Sequence, residues 1–395
     1  MADNNTVTVK NAKQGFFAKI GNSFASIPLG IVIVIFGCLI LWNNEKKNVI
    51  NIKDVKELRG EVVDISSTEV NSDYEGKLVA LSGKLDYNNA ILTDTDFNIS
   101  YQTPVFDRNV EIYQWVETSE TTDDKTTYSY KKEWKSEIVD SDDFHSTTGH
   151  ENLKEQDIKF FGERFVTEED LKVGVFTLDE GFKGILSSDK AVNIPEGAVI
   201  PEGYTIYNSR YITNAADMSD PTVGNIRISY KVNDYKDVSV LGKQVGSTIT
   251  SYTSKNNKTY KELYKGTKNS TEMINTIESG NKMSKWIFRI LGTILVCMGM
   301  SMILSPLTTL IGYIPFLGKI VNGALGAVSS FVGIAVSLIV IGIAWLVFRP
   351  IIGIILLVVS VGLVVLAKMY ISKKDDSKKL EAKEEAKTEE NKEEN

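Results

Sequence analysis

The sequence predicts an α-helical multi-pass membrane protein with four transmembrane helices and a large β-rich (α+β) soluble domain inserted between helices 1 and 2. Two observations predict it. Four apolar runs, each near the roughly 20 residues a helix needs to cross a bilayer core, carry no charge at their centres. Between the first and second runs lies a long polar stretch of short alternating segments, punctuated by Gly, Asn and Asp. The whole-chain averages, 43% hydrophobic and 24% charged, look globular only because they mix these two kinds of sequence.

Residues 1–23 form a polar N-terminal tail carrying Lys10, Lys13 and Lys19. Residues 24–42 are the first transmembrane helix. A cleaved signal peptide is the competing reading, but the run starts late and no small-residue cleavage pattern follows it. Trp42 is placed as an interfacial anchor, with Lys46 and Lys47 as snorkelling caps.

The inserted domain, 43–284, is long enough for one large unit or two small ones. Strand-like runs include Glu61–Ile65, Lys77–Leu85, Val173–Thr177, Asn225–Tyr230 and Asp237–Gly242, and Asn193–Pro201 reads as a turn-rich connector. From Lys261 the pattern turns helical and leads into the next membrane segment. A sandwich or partly open barrel fits this pattern. Its clearest piece is a hairpin over Val110–Val139 with a polar tip at Ser119–Lys125. Tyr113 and Trp115 share one face of its first strand; Tyr128, Tyr130, Trp134 and Ile138 share one face of its second. Tyr113, Trp115, Tyr130 and Trp134 are therefore candidates either for a packed hairpin or for an interaction surface.

Helix 2 covers 285–304 and helix 3 covers 324–348. Residues 305–323, apolar and carrying Pro306, Pro315 and Lys319, are expected to lie as a loop in the membrane interface. Arg349-Pro350 makes a reversal into helix 4, 350–367, and 368–395 is a charged tail of disordered composition. On helix 3, Ser329, Gly333 and Ser337 recur every four residues and line one face. Small residues let helix backbones approach in lipid, so this face is a candidate association surface, for a partner within the chain or in a second copy.

The hairpin strings EIYQWVET and YSYKKEWKSEIVDSDDF, followed by the Gly149–Asn152 string GHEN, resemble the signature of the transmembrane protein 43 (LUMA) family. The string LWNNEKKNV at Leu41–Val49 is similar to its Trp-Asn-Glu-Gly-Arg pattern but departs from it at Asn44-Glu45-Lys46. YIPFLGKIV at Tyr313–Val321 and AWLVFRP at Ala344–Pro350 resemble its C-terminal block. The resemblance implies one N-terminal helix, a large insert and three C-terminal helices. It also implies a membrane organiser rather than an established enzyme, residing in the inner nuclear membrane and endoplasmic reticulum of animals with lamin- and emerin-like partners. In a bacterium the corresponding site would be the cytoplasmic membrane.

Composition speaks against other classes. The net charge of −7 owes much to the acidic tail, and no basic patch or stacking motif points to nucleic acid. Cys38 and Cys297 both sit in apolar runs, which leaves no disulfide framework or zinc–thiolate site in the polar domain. His145 and His150, with Asp142, Asp143 and Glu151 nearby, have a spacing that suits neither one strand face nor one helix face, so a polar turn is the expectation and no metal is assigned. No phosphate loop, dinucleotide fingerprint or nucleophile elbow appears, so no catalytic or cofactor-binding residue is assigned. Arg289, Lys319 and Arg349 lie near run ends, Arg289 placed to snorkel to headgroups, which gives no midplane transport site. The expectation is a scaffold that assembles with the lipid bilayer and other membrane proteins, with cytosolic or nucleoplasmic termini. The alternative is an accessory factor or enzyme of membrane lipid metabolism.

Overall fold

The computed structural model describes residues 6–10, 16–122, 125–312 and 318–351, and beyond them 354, 355 and 358. Two compact units divide the chain. One gathers Asp54–Glu278 with the strand Thr6–Lys10; the other gathers the described parts of Gly15–Lys53 and Ser279–Asn395.

The β unit holds two main sheets. In the larger, the long strands Val105–Thr121 and Lys125–Lys135 form the hairpin. Ile226–Val232 pairs with the base of the first of these strands, and Thr6–Lys10 pairs antiparallel with the outer edge of the second. The seven-stranded sheet centres on Leu78–Asp86 and Asp237–Val245, paired antiparallel. One buried cluster, including Leu81, Val173, Phe176, Phe182 and Val240, lies on this sheet; a second, including Phe97, Phe106, Ile212 and Ile228, lies on the larger one. A buried ion pair ties the second region together. Arg108 donates to both oxygens of Asp94 at 2.8 and 2.7 Å, and the Tyr230 hydroxyl donates to Asp94 at 2.8 Å. Burial and the Asp94 carboxylate push the Tyr230 phenol well above its ordinary pKa.

The run Val173–Thr177 is not one strand. It is a turn between Leu171–Val173 and Phe176–Leu178, because Gly174 adopts φ +60 and its Cα lies against the Ser67 carbonyl, where a Cβ would come within 1.8 Å.

Three helices among the described residues are long and apolar enough to cross a membrane. Helix α1, Phe16–Glu61, has 46 residues, about 69 Å at 1.5 Å per residue, twice what a bilayer core needs. It runs well past Trp42 because no Gly or Pro interrupts it before Gly60. Its last turns belong to the β unit, where Val55 and Leu58 pack with Leu78, Leu241, Met273 and Ile274. Helix α2, Ser270–Gly312, starts at a capping box: Asn269 accepts from the Glu272 amide and Glu272 accepts from the Asn269 amide, each at 2.9 Å. Helix α3 is Gly318–Phe348.

The stretch expected as an interfacial loop, 305–323, is helical wherever it is described, apart from 313–317, which lie outside the described residues. Helix α2 continues through Pro306 to Gly312. Proline removes the N–H that would bond the Met302 carbonyl four residues back. Ser26 on α1 offers a replacement donor: its one hydroxyl proton is shared between that carbonyl, 3.0 Å away, and the Ser23 carbonyl at 2.7 Å. Most of the expected helix 4 and the charged tail lie outside the described residues.

Candidate functional site

The helical unit is built on a seam of small residues that the sequence reading did not single out. A Cβ on Gly30 would fall 2.8 Å from the Gly299 carbonyl, and one on Gly299 would fall 2.6 Å from the Gly30 carbonyl. Gly37 and Gly292 repeat the contact one heptad on, and Asn44 donates to the Lys285 carbonyl at 3.1 Å one heptad further. Antiparallel helices meeting every seven residues have coiled-coil spacing, here with backbone near backbone.

Helix α3 joins through its own small-residue face. Gly333 is buried, and a Cβ there would lie 2.7 Å from Cys297 Cα on α2. Ser329 and Ser337 are buried on the same face. The Ser337 hydroxyl bonds back to the Gly333 carbonyl at 2.8 Å, so its polarity is satisfied within its own helix. The partner met by this face lies within the chain.

Where the apolar runs end, three helices contribute to one polar knot. Glu45, only 1% exposed, accepts from Arg289 Nε at 2.6 Å and from Trp345 Nε1 at 2.8 Å. Arg289 therefore does not snorkel to solvent; its charge is spent on Glu45, which leaves neither ion unpaired in apolar surroundings. The signal for this pair was present as an acid just behind one apolar run and a base just inside another.

In the hairpin, the register pairs Tyr113 with Trp134, Trp115 with Lys132 and Glu117 with Tyr130. All the candidate aromatics therefore share one face. Tyr113 and Trp134 meet at 5.3 Å with their rings tilted by 52°, half-buried, with the Arg227 guanidinium 4.5 Å over the indole. Trp115 and Tyr130 are buried.

What covers them is the segment 141–152. The His150 ring stacks on Tyr130 at 3.8 Å and meets the Trp115 indole edge-on at 4.7 Å, and the His145 ring stacks on Tyr128 at 4.0 Å. Asn152 acts as a strand partner for one residue: its side chain accepts from the Trp115 amide at 2.7 Å and donates to the Trp115 carbonyl at 3.0 Å. Glu117 accepts from the Tyr130 hydroxyl and the His145 amide, each at 2.7 Å. Burial and the Glu117 carboxylate push the Tyr130 phenol up to about 12. The string GHEN is thus a lid clamp: Gly149 turns at φ +84, His150 covers two rings and Asn152 locks the backbone. Among the described residues no group of three or more His, Cys, Asp or Glu side chains could hold a metal ion.

Beyond residue 112 the hairpin leaves the sheet and becomes a two-stranded ribbon whose outer edge, Lys125–Ser129, accepts Thr6–Lys10 as an added strand.

A family profile described as Transmembrane protein 43 matches residues 112–350. Transmembrane protein 43 of Mus musculus is 27% identical over 360 residues, covering 85% of this chain and 88% of the relative. Transmembrane protein 43 of Homo sapiens is 26% identical over 369 residues, covering 87% and 90%. The Transmembrane protein 43 homolog of Drosophila melanogaster is 26% identical over 344 residues, covering 82% and 89%. No solved structure matches the chain.

Proposed function

The chain belongs to the transmembrane protein 43 family, and from that membership we propose that it is a membrane scaffold, a four-pass protein that assembles other membrane proteins around its β unit. The fourth pass is the apolar run 350–367. Four passes put both termini on one side, cytosolic or nucleoplasmic, and the β unit on the other. In a eukaryote the setting would be the inner nuclear membrane or endoplasmic reticulum, with lamin- or emerin-like partners on the terminal side; in a bacterium it would be the cytoplasmic membrane.

The observation that carries this reading is the hairpin's outer edge. Lys125–Ser129 takes up an alternating Thr-Val strand in antiparallel register, Val7 opposite Tyr128 and Val9 opposite Thr126. A sheet edge that accepts one added strand offers the same row of N–H and C=O groups to another. The proposed topology departs from the structure here: if α1 crosses the bilayer, Thr6–Lys10 lies on the far side from this edge and does not fill it. The edge is then open to an extended segment of a neighbouring membrane protein.

A photo-crosslinking residue at Ser129, exposed on that edge, tests the reading in native membranes. The expected result is crosslinks to other membrane proteins that disappear when Thr126, whose N–H faces outward from the hairpin, is replaced by Pro, which removes an N–H from the edge. Crosslinks only within the chain, or none, would contradict it.

A further inference from the structure

Beside the Glu45 knot lie three buried donors with no acceptor among the described residues: Asn48 Nδ2, Asn281 Nδ2 and an Arg349 terminal nitrogen. Asn48 is only 7% exposed. The antiparallel seam places two of these donors together. Asn44 meets Lys285, and one turn further along each helix Asn48 stands opposite Asn281. Arg349 follows α3 one turn after Trp345, which is bound to Glu45.

A buried donor left unpaired costs about 1–3 kcal/mol. Three on neighbouring turns of the helical unit, all donors, call for a ligand rich in acceptors. The charges agree. Lys285, Arg289 and Arg349 lie close together, with Glu45 among them. Glu45 is already engaged by Arg289 and Trp345, so the cluster keeps an excess of positive charge. The depth is that of lipid headgroups: Trp42 and Trp286 mark the ends of two apolar runs here.

We infer that Asn48, Asn281 and Arg349 form a binding site for the phosphate of an anionic lipid headgroup. The arginine supplies charge and a directed N–H, and the two amides complete the cradle. The site stands independently of the scaffold reading, since it uses none of the hairpin.

The test uses the full chain in detergent micelles, titrated with phosphatidylglycerol, with phosphatidylcholine and with inorganic phosphate, followed by thermal unfolding and by native mass spectrometry of bound lipid. Phosphatidylglycerol should raise the unfolding midpoint and remain bound, and phosphatidylcholine should do neither. Arg349→Gln and Asn48→Asp should each weaken the half-saturating concentration roughly tenfold, the loss of about one charge-assisted hydrogen bond. Should Asn48→Asp fail to fold, Arg349→Gln carries the comparison. Equal shifts with both lipids, or unchanged titrations in the folded variants, would overturn the site. Displacement of phosphatidylglycerol by millimolar inorganic phosphate would overturn the lipid assignment in favour of a free anion.

Discussion

The Ser26 hydroxyl on α1 shares its proton between its own helix, at the Ser23 carbonyl 2.7 Å away, and the Met302 carbonyl on α2 at 3.0 Å, the one acceptor in that turn that Pro306 deprives of its helical donor. One side chain thus repairs a neighbouring helix. Ser26→Ala should destabilise the protein by about 1 kcal/mol, the range of interhelical hydrogen bonds in membranes. In a Pro306→Ala background the same change should be close to neutral, because the restored N–H at 306 takes the carbonyl back. Thermal unfolding in detergent of the four proteins of this cycle measures the coupling.

The α3 face predicts an effect on the fold rather than on assembly. Gly333→Leu drives a side chain into Cys297, where even a Cβ would be 2.7 Å from its Cα. The expected destabilisation is about 1–3 kcal/mol, as for an overpacked core. Val340→Leu, on a less crowded part of the helix, should be mild. Unfolding midpoints and protease resistance of the two variants make the comparison.

In the hairpin the two tryptophans should separate. Trp115 is buried beneath His150, so Trp115→Ala should destabilise by about 3–5 kcal/mol. Trp134 is half-buried and packs against Tyr113 and Arg227, so its replacement should have a smaller effect. Limited proteolysis of the full chain, read at the 141–152 segment, tests the difference.

Tyr130 predicts an alkaline limb. Its phenol is pushed up to about 12 from an unfolded value of about 10. Because the folded value is raised, its contribution is complete below about pH 10. It then falls as pH rises toward 12, since the unfolded chain releases the proton first. Tyr130→Phe should flatten stability across that window, measured by denaturant unfolding at stepped pH.

The apolar runs are legible in the sequence because lipid-facing helices lack a polar face, and the hairpin is legible because its aromatics alternate. The α1–α2 seam is not: Gly30 and Gly37 gain meaning only opposite Gly299 and Gly292, a pairing across most of the chain. Pro306 reads as a loop until Ser26 is seen to satisfy its turn. Arg289 reads as a snorkelling cation because Glu45, its partner, stands on another helix. The Val173–Thr177 run alternates like a strand, yet the Ser67 carbonyl beside Gly174 makes it a turn. In each case the deciding partner is remote in sequence. The GHEN string is a middle case: its residues stand out, but their task of covering Trp115 and Tyr130 depends on the fold.

The most direct test of the scaffold account is which side of the membrane the N-terminal strand and the hairpin occupy. The strand Thr6–Lys10 can pair with Lys125–Ser129 only if both share a compartment, and a single crossing by α1 separates them. Cysteines at Thr8 and Thr127, opposite each other in that register with hydroxyls 3.5 Å apart, would be placed in an otherwise cysteine-free chain and expressed in sealed vesicles. The account predicts no disulfide under oxidation, with a membrane-impermeant thiol reagent reaching position 8 and position 127 from opposite faces. A disulfide between the cysteines placed at positions 8 and 127, or labelling of both positions from the same face, would contradict it.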